Sequence, residues 1–201
     1  MTSGTSGSER QPAIWSAKRI GRTALLLLTG WWTLRLLSHP ADGCLLDLAN
    51  LPFHEAGHVL LSPFGHILHV LGGTLGQLAV PGLLAWYFLA RRNDAFASSF
   101  CAWWFGENLI NISTYMADAR AQALPLVGGG DHDWTELFFR WNVLDERSVA
   151  RISFATRSAG DVVMLLGVAW SLLLVLPSAT RSGIVLRLAA RFPRAVRLLR
   201  D

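Results

Sequence analysis

The chain has 201 residues, 52% of them hydrophobic and only 16% charged, with nine Trp and a mean hydropathy of +0.35. Length points to one domain, and this balance places the chain among polytopic membrane proteins rather than soluble or disordered ones. The net charge of +4 comes from Arg concentrated at the ends and in one short loop, which is topology information and excludes a nucleic-acid binder.

Residues 1–13 are rich in Ser, Thr and Gly, and the first 17 residues are expected to be a disordered tail. Lys18, Arg19 and Arg22 then lead into an apolar run over 23–37 containing Trp31 and Trp32. No small-x-small cleavage site follows it, so the run reads as a retained transmembrane helix, with Arg35 snorkelling to the far interface. A loop over 39–43 precedes a second apolar helix, 44–61, which Ser62, Pro63, Phe64 and Gly65 interrupt. Residues 66–90 form a third apolar stretch, loosened by Gly72, Gly73, Gly76, Pro81 and Gly82. A charged turn at 91–94 leads to a fourth helix, 95–117. Residues 118–156 are the long polar segment, and 159–177 the last clear span. From Arg181 to Arg200, Arg recurs among apolar residues as in a basic interfacial helix. Cys44 and Cys101 read as small hydrophobes, too few for a disulfide scaffold or a Cys-based zinc site.

The expected fold is therefore all-α: a polytopic membrane helix bundle of four to five membrane-embedded segments, with one membrane domain over 18–180 and a basic amphipathic tail over 181–201. The basic clusters at 18–22, 91–92 and 181–200 should all be cytoplasmic. Termini on one side require an even number of crossings, whereas five segments are apolar. The conflict disappears if residues 44–90 cross only once, with the 44–61 helix re-entrant or shallow. Residues 118–156 then lie on the non-cytoplasmic side together with that helix.

That helix carries His54-Glu55-Ala56-Gly57-His58. Histidines at i and i+4 put two imidazoles on one helix face, close enough to share one zinc ion, and Glu55 lies beside them to activate a metal-bound water. Gly57 costs about 1 kcal/mol against Ala inside a helix, and in a membrane bundle it lets another backbone approach. Asp47 shares the histidine face two turns earlier, too far to join the same ion, and reads as a helix-start aspartate or part of a water path. In the fourth helix Glu107, Asn111, Thr114, Tyr115 and Asp118 recur on one face of an apolar run, and such groups turn to a bundle interior or a wet cavity. Asp118 is the expected third zinc ligand, with His132 and Glu107 as alternatives and Asn111 in support. His132 stands in a Gly-rich stretch, 128–134, that can fold back over the site, and a neighbouring Asp can set its tautomer. His66 and His69 read as bonded helix-interface residues, and Asp161 as an i,i+4 partner of Arg157.

The Phe53-His54-Glu55-Ala56-Gly57-His58 helix resembles the membrane-embedded site-2-type metalloproteases, the M50-like group. In that family a later helix supplies the third ligand from an Asn-Pro…Asp-Gly motif. The resemblance implies zinc ligands His54 and His58 and the base Glu55. Residues 111–120 match the second motif loosely, with Asn111 and Asp118 but without the prolines or the Asp-Gly step. The chain also looks like small bacterial membrane proteins with the same box and a late His-Asp-Trp, a likeness that implies no activity. Nothing in it resembles a PDZ or CBS domain.

The expectation is an integral, multi-pass protein of a bacterial inner membrane, holding one Zn2+. It would cleave a peptide or membrane-protein substrate in or next to the bilayer. A zinc-dependent lipid amide or ester hydrolase and a non-catalytic metal-binding module are the alternatives.

Overall fold

A computed structural model describes residues 11–124, 131–177 and 180, with side chains from residue 17 onward. The expected basic tail over 181–201 and most of the expected tail over 1–17 lie outside the described residues. Within them the chain is all-helical, without a strand. The helices are α1 (Gln11–Ser38), α2 (Asp47–Leu61), α3 (His66–Ala90), α4 (Ala95–Ala117), α5 (Asp133–Arg140) and α6 (Glu146–Val175).

Three starts differ from expectation: α2 begins at Asp47 instead of 44, and α1 and α6 begin earlier than expected. Helix α1 begins at Gln11, inside the stretch expected to be a tail, because Lys18, Arg19 and Arg22 are good helix formers that extend the helix beyond its apolar run. Helix α6 begins at Glu146, inside the polar segment. Its first three turns are amphipathic: Val149 and Ile152 pack inward beside Trp134 and Phe138 of α5, while Arg147, Arg151 and Phe154 face outward.

Local chemistry sets the other ends. Asp94 caps α4 by accepting from the Phe96 and Ala97 amides, both at 3.2 Å. Asp145 caps α6 through the Ser148 amide at 3.0 Å. Pro63 and Gly65, the latter at φ 103°, turn the chain back between α2 and α3.

The long helices run antiparallel to their sequence neighbours. Ser98 bonds Ala85 and Gln77 reaches Asn111 between α3 and α4. Ser99 bonds Ser171 at 2.7 Å between α4 and α6, where Gly106 lies against Gly160. Arg22 of α1 pairs with Asp94 at the α3–α4 turn, and Arg157 of α6 bonds the Leu37 carbonyl at the other end of α1. Both basic clusters, 18–22 and 91–92, therefore lie at one end of the bundle, and the ends of α1 and α4 and the start of α6 at the other.

The sorting of side chains is unusual for a water-soluble bundle. Ser98, Ser99, Glu107, Asn108 and Ser113 are buried, whereas Leu34, Leu48, Val59, Leu83, Phe154 and Leu166 are between 64% and 74% exposed. Among the described residues, α3 and α6 are long and apolar enough to cross a membrane. Helix α2, at 15 residues and about 1.5 Å per residue, is roughly 22 Å long, short of the ~30 Å hydrocarbon core.

Candidate metal centre

Helices α2 and α3 approach at backbone distance. A Cβ built on Gly57 would stand 2.0 Å from the Gly72 carbonyl oxygen, and one on Gly76 would stand 2.4 Å from that of Phe53. Only glycine fits there, and Gly57 serves the close approach expected of it. This register lays Gly73 against the two box histidines: a Cβ on it would come within 2.4 Å of His54 Nε2 and 2.5 Å of His58 Nε2.

The third partner comes from α5. Asp133 Oδ2 lies 3.0 Å from His54 Nε2 and 3.3 Å from His58 Nε2. Ligand atoms about 2.0–2.1 Å from a tetrahedral zinc are roughly 3.3 Å from one another, so these separations suit a shared ion. Asp133 was not among the expected ligands. Asp118, the first choice, instead accepts the Ala123 and Leu124 amides at 3.0 Å each and closes the turn after α4. Its Oδ2 is 3.6 Å from His132 Nε2, longer than a hydrogen bond. A carboxylate at the end of α4 is taken up by its own turn, and the residue that reaches the histidines arrives from the other side, on a short helix beyond the Gly-rich stretch.

His132 does not face the two box imidazoles but caps the helix that carries Asp133. It is buried, and its Nδ1 accepts the Thr135 amide at 3.2 Å, so His132 caps the helix whose first residue is Asp133. Burial pushes its imidazole below the ordinary range, against the pull of the Asp118 and Asp133 carboxylates. A neutral ring accepting at Nδ1 carries its proton on Nε2, toward Asp118. Tyr115 stacks on this ring, with centroids 4.1 Å apart, and its hydroxyl accepts the Asp133 amide at 3.2 Å. Glu136, in the first turn of α5, bonds His66 of α3 and Arg140 one turn further along its own helix. Partial burial pushes the Glu136 carboxyl up, but these two partners outweigh it and hold it below the usual range.

The tautomers of the two box histidines are set at their other ring nitrogens. His58 Nδ1 lies 2.8 Å from the His69 carbonyl oxygen, which can only accept, so Nδ1 carries the proton. His69 Nδ1 donates in return to the His58 carbonyl at 2.9 Å, a reciprocal clamp between α2 and α3. His54 Nδ1 faces Gln77 Oε1 at 2.8 Å and donates as well. In neutral rings both Nε2 atoms then present lone pairs to one point, where Asp133 adds a carboxylate oxygen. Three possible ligand atoms converge there, a set that could hold a divalent cation; without one, a proton on His54 Nε2 bridges to Asp133 at 3.0 Å.

The remaining expected residues lie around this centre. Glu55, next to His54, is exposed, and its charge acts on both His54 and Tyr115. Glu107 is buried 11 residues before Asp118, bonded by Asn50 at 3.1 Å, and forms with Cys44 and Asp47 a separate cluster of candidate ligand atoms. It does not reach the histidines as a ligand. Asn111 donates to Asp47 at 3.0 Å. A cavity of about 500 Å³ lies between α4 and α6, lined by Ser113, Arg120, Val149, Phe154 and Arg157 among others, and none of the metal-facing side chains opens into it.

No family model, no curated protein and no solved structure matches this chain.

Proposed function

We propose that this chain is a membrane-embedded zinc metallopeptidase. It would cut peptide bonds at or just inside the end of the bundle opposite the basic clusters. The observation that carries the reading is the convergence of His54 Nε2, His58 Nε2 and Asp133 Oδ2, with each imidazole held through Nδ1 in the tautomer a metal requires. A zinc ion held there would supply a Lewis acid for the scissile carbonyl and acidify a water. His54, His58 and Asp133 would hold the ion. Glu55 would take that water's proton and return it to the leaving amine, the role that the spacing of the box assigns to it. Peptide bonds are favoured as substrate by the resemblance of the Phe53–His58 segment to site-2-type metalloproteases. Membrane embedding is supported by the apolar exterior, by the two helices able to cross, and by the gathering of basic residues at one end.

The reading departs from the family pattern in the source of its third ligand, an aspartate at the start of a separate short helix instead of one on the helix after the box. The test is metal content and proteolysis of the purified protein. Wild type should carry one zinc per chain and His54→Ala none, while Glu55→Gln should keep zinc and lose cleavage of a fluorogenic membrane peptide. Equal zinc in wild type and His54→Ala removes the metal centre. Cleavage retained by Glu55→Gln removes the mechanism.

A further inference from the structure

His54 and His58 are held in the same tautomer by very different means. For His58 the acceptor is a backbone carbonyl of α3, which cannot turn around. For His54 it is the primary amide of Gln77, which is nearly symmetric in shape and reverses its chemistry when it flips. With its NH2 toward His54, Gln77 would require an unprotonated Nδ1, and the proton would move to Nε2, where a metal has to bind. Something must hold that amide one way round.

We propose that Asp47 and Asn111 do so: Asp47–Asn111–Gln77 is a directional hydrogen-bond relay that sets the tautomer of His54, and Asp47 and Asn111 are positioning residues for metal binding. The proposal rests on the metal reading above. Its direction follows from donors and acceptors alone. Asp47 Oδ2 accepts the Cys44 amide at 2.7 Å, and Oδ1 accepts Asn111 Nδ2 at 3.0 Å. Because Asn111 gives its NH2 to Asp47, its oxygen faces Gln77, whose Nε2 lies 3.4 Å away and donates. Gln77 must then show its oxygen to His54 Nδ1, at 2.8 Å. Reversing Asn111 would set oxygen against oxygen at Asp47 and nitrogen against nitrogen at Gln77, and reversing Gln77 alone would set oxygen against oxygen at Asn111. Gln77 is only 4% exposed, so water cannot readily replace a mismatched partner. Asp47, two turns before His54 on the same helix, thus acts on it through α3 and α4.

The relay predicts an inversion that a merely structural aspartate does not. In Asp47→Asn the new amide oxygen is claimed by the Cys44 N–H, its NH2 points at Asn111, and both downstream amides reverse. In the metal-free protein with 15N-labelled histidine and Asp133→Ala, which removes the competing acceptor 3.0 Å from His54 Nε2, the His54 ring should be protonated at Nδ1 and shift toward Nε2–H when Asp47→Asn is added. With Asp133 in place, affinity for Co2+, followed by its visible absorption, should fall in Asp47→Asn on the order of 10- to 100-fold, the usual cost of losing an outer-shell partner. Adding Gln77→Glu places an acceptor-only carboxylate directly on His54 Nδ1 and should restore both readouts in the Asp47→Asn background. An unchanged tautomer and Co2+ affinity in Asp47→Asn overturns the relay, as does a folded double variant without recovery. If wild type itself binds no Co2+, the metal reading fails, while the nitrogen shifts still decide the relay.

Discussion

Asp118 and Asp133 are both aspartates of the stretch that follows α4, and their surroundings give them opposite tasks. Asp118 spends its carboxylate on two backbone amides of the next turn. Asp133 has its own amide tied to the Tyr115 hydroxyl, which leaves its carboxylate to the two imidazoles. Asp133→Ala should therefore reduce zinc retained after dialysis to the level of His54→Ala. Asp118→Ala should keep most of its zinc and lower thermal stability by about 1–3 kcal/mol, the cost of leaving partners unpaired. Zinc lost from Asp118→Ala but kept by Asp133→Ala would return the third ligand to α4. The box was legible because i,i+4 spacing on one helix is local geometry. Asp133 was not, since no spacing relates residues 58 and 133, and its reach depends on how an eight-residue helix docks. Its signal was nonetheless present in His132, a polar residue preceding Asp133 and Glu136 as a cap precedes an acidic first turn.

Between elements, the decisive feature is the glycine-lined contact of α2 with α3, and its glycines predict two different failures. A methyl at Gly57 meets backbone, the Gly72 carbonyl at 2.0 Å, so neither helix can yield without separating. Gly57→Ala should cost roughly 1–3 kcal/mol or more as overpacking and lower the melting temperature with or without metal. A methyl at Gly73 meets only the far edges of two imidazoles, which can rotate away. Gly73→Ala should keep its metal-free melting temperature within a few degrees and lose metal affinity by at least tenfold, read by Co2+ titration. Equal loss of fold in both variants would mean that Gly73 is only a packing residue. Gly57 was readable as a point of close approach because a glycine inside an apolar helix has few other uses. The part played by Gly73 was not readable, since it follows from the register that sets Gly57 opposite Gly72. The length of α6 was hidden for a related reason: the outward Arg147 and Arg151 masked a helical period whose inner face packs on α5.

At the scale of the whole molecule, charge and coordination point to the same arrangement. The Arg22–Asp94 pair gathers the basic clusters at one end, and Asp133, at the start of α5, meets the two box imidazoles toward the other. In the proposed bilayer α1, α3, α4 and α6 cross, while α2 goes in only part way and returns through the Pro63–Gly65 turn, so that the count of crossings is even. Helix α1 carries the least obvious crossing, because its charged first turns dilute an apolar run. Its Thr29 and Thr33 hydroxyls bond carbonyls of their own helix, which lowers the cost of polar groups at that depth. With Cys44 and Cys101 replaced by Ala, single cysteines at exposed Arg92→Cys and Arg147→Cys report the two ends. A membrane-impermeant maleimide applied to intact bacterial cells should label Arg147→Cys, at the start of α6, and should reach Arg92→Cys only after the cells are opened. Labelling of both, or of neither, in intact cells would place the α3–α4 turn and the start of α6 on one side. An odd number of crossings would then separate the termini, and the positive-inside argument for a shallow metal-bearing helix would fall with it.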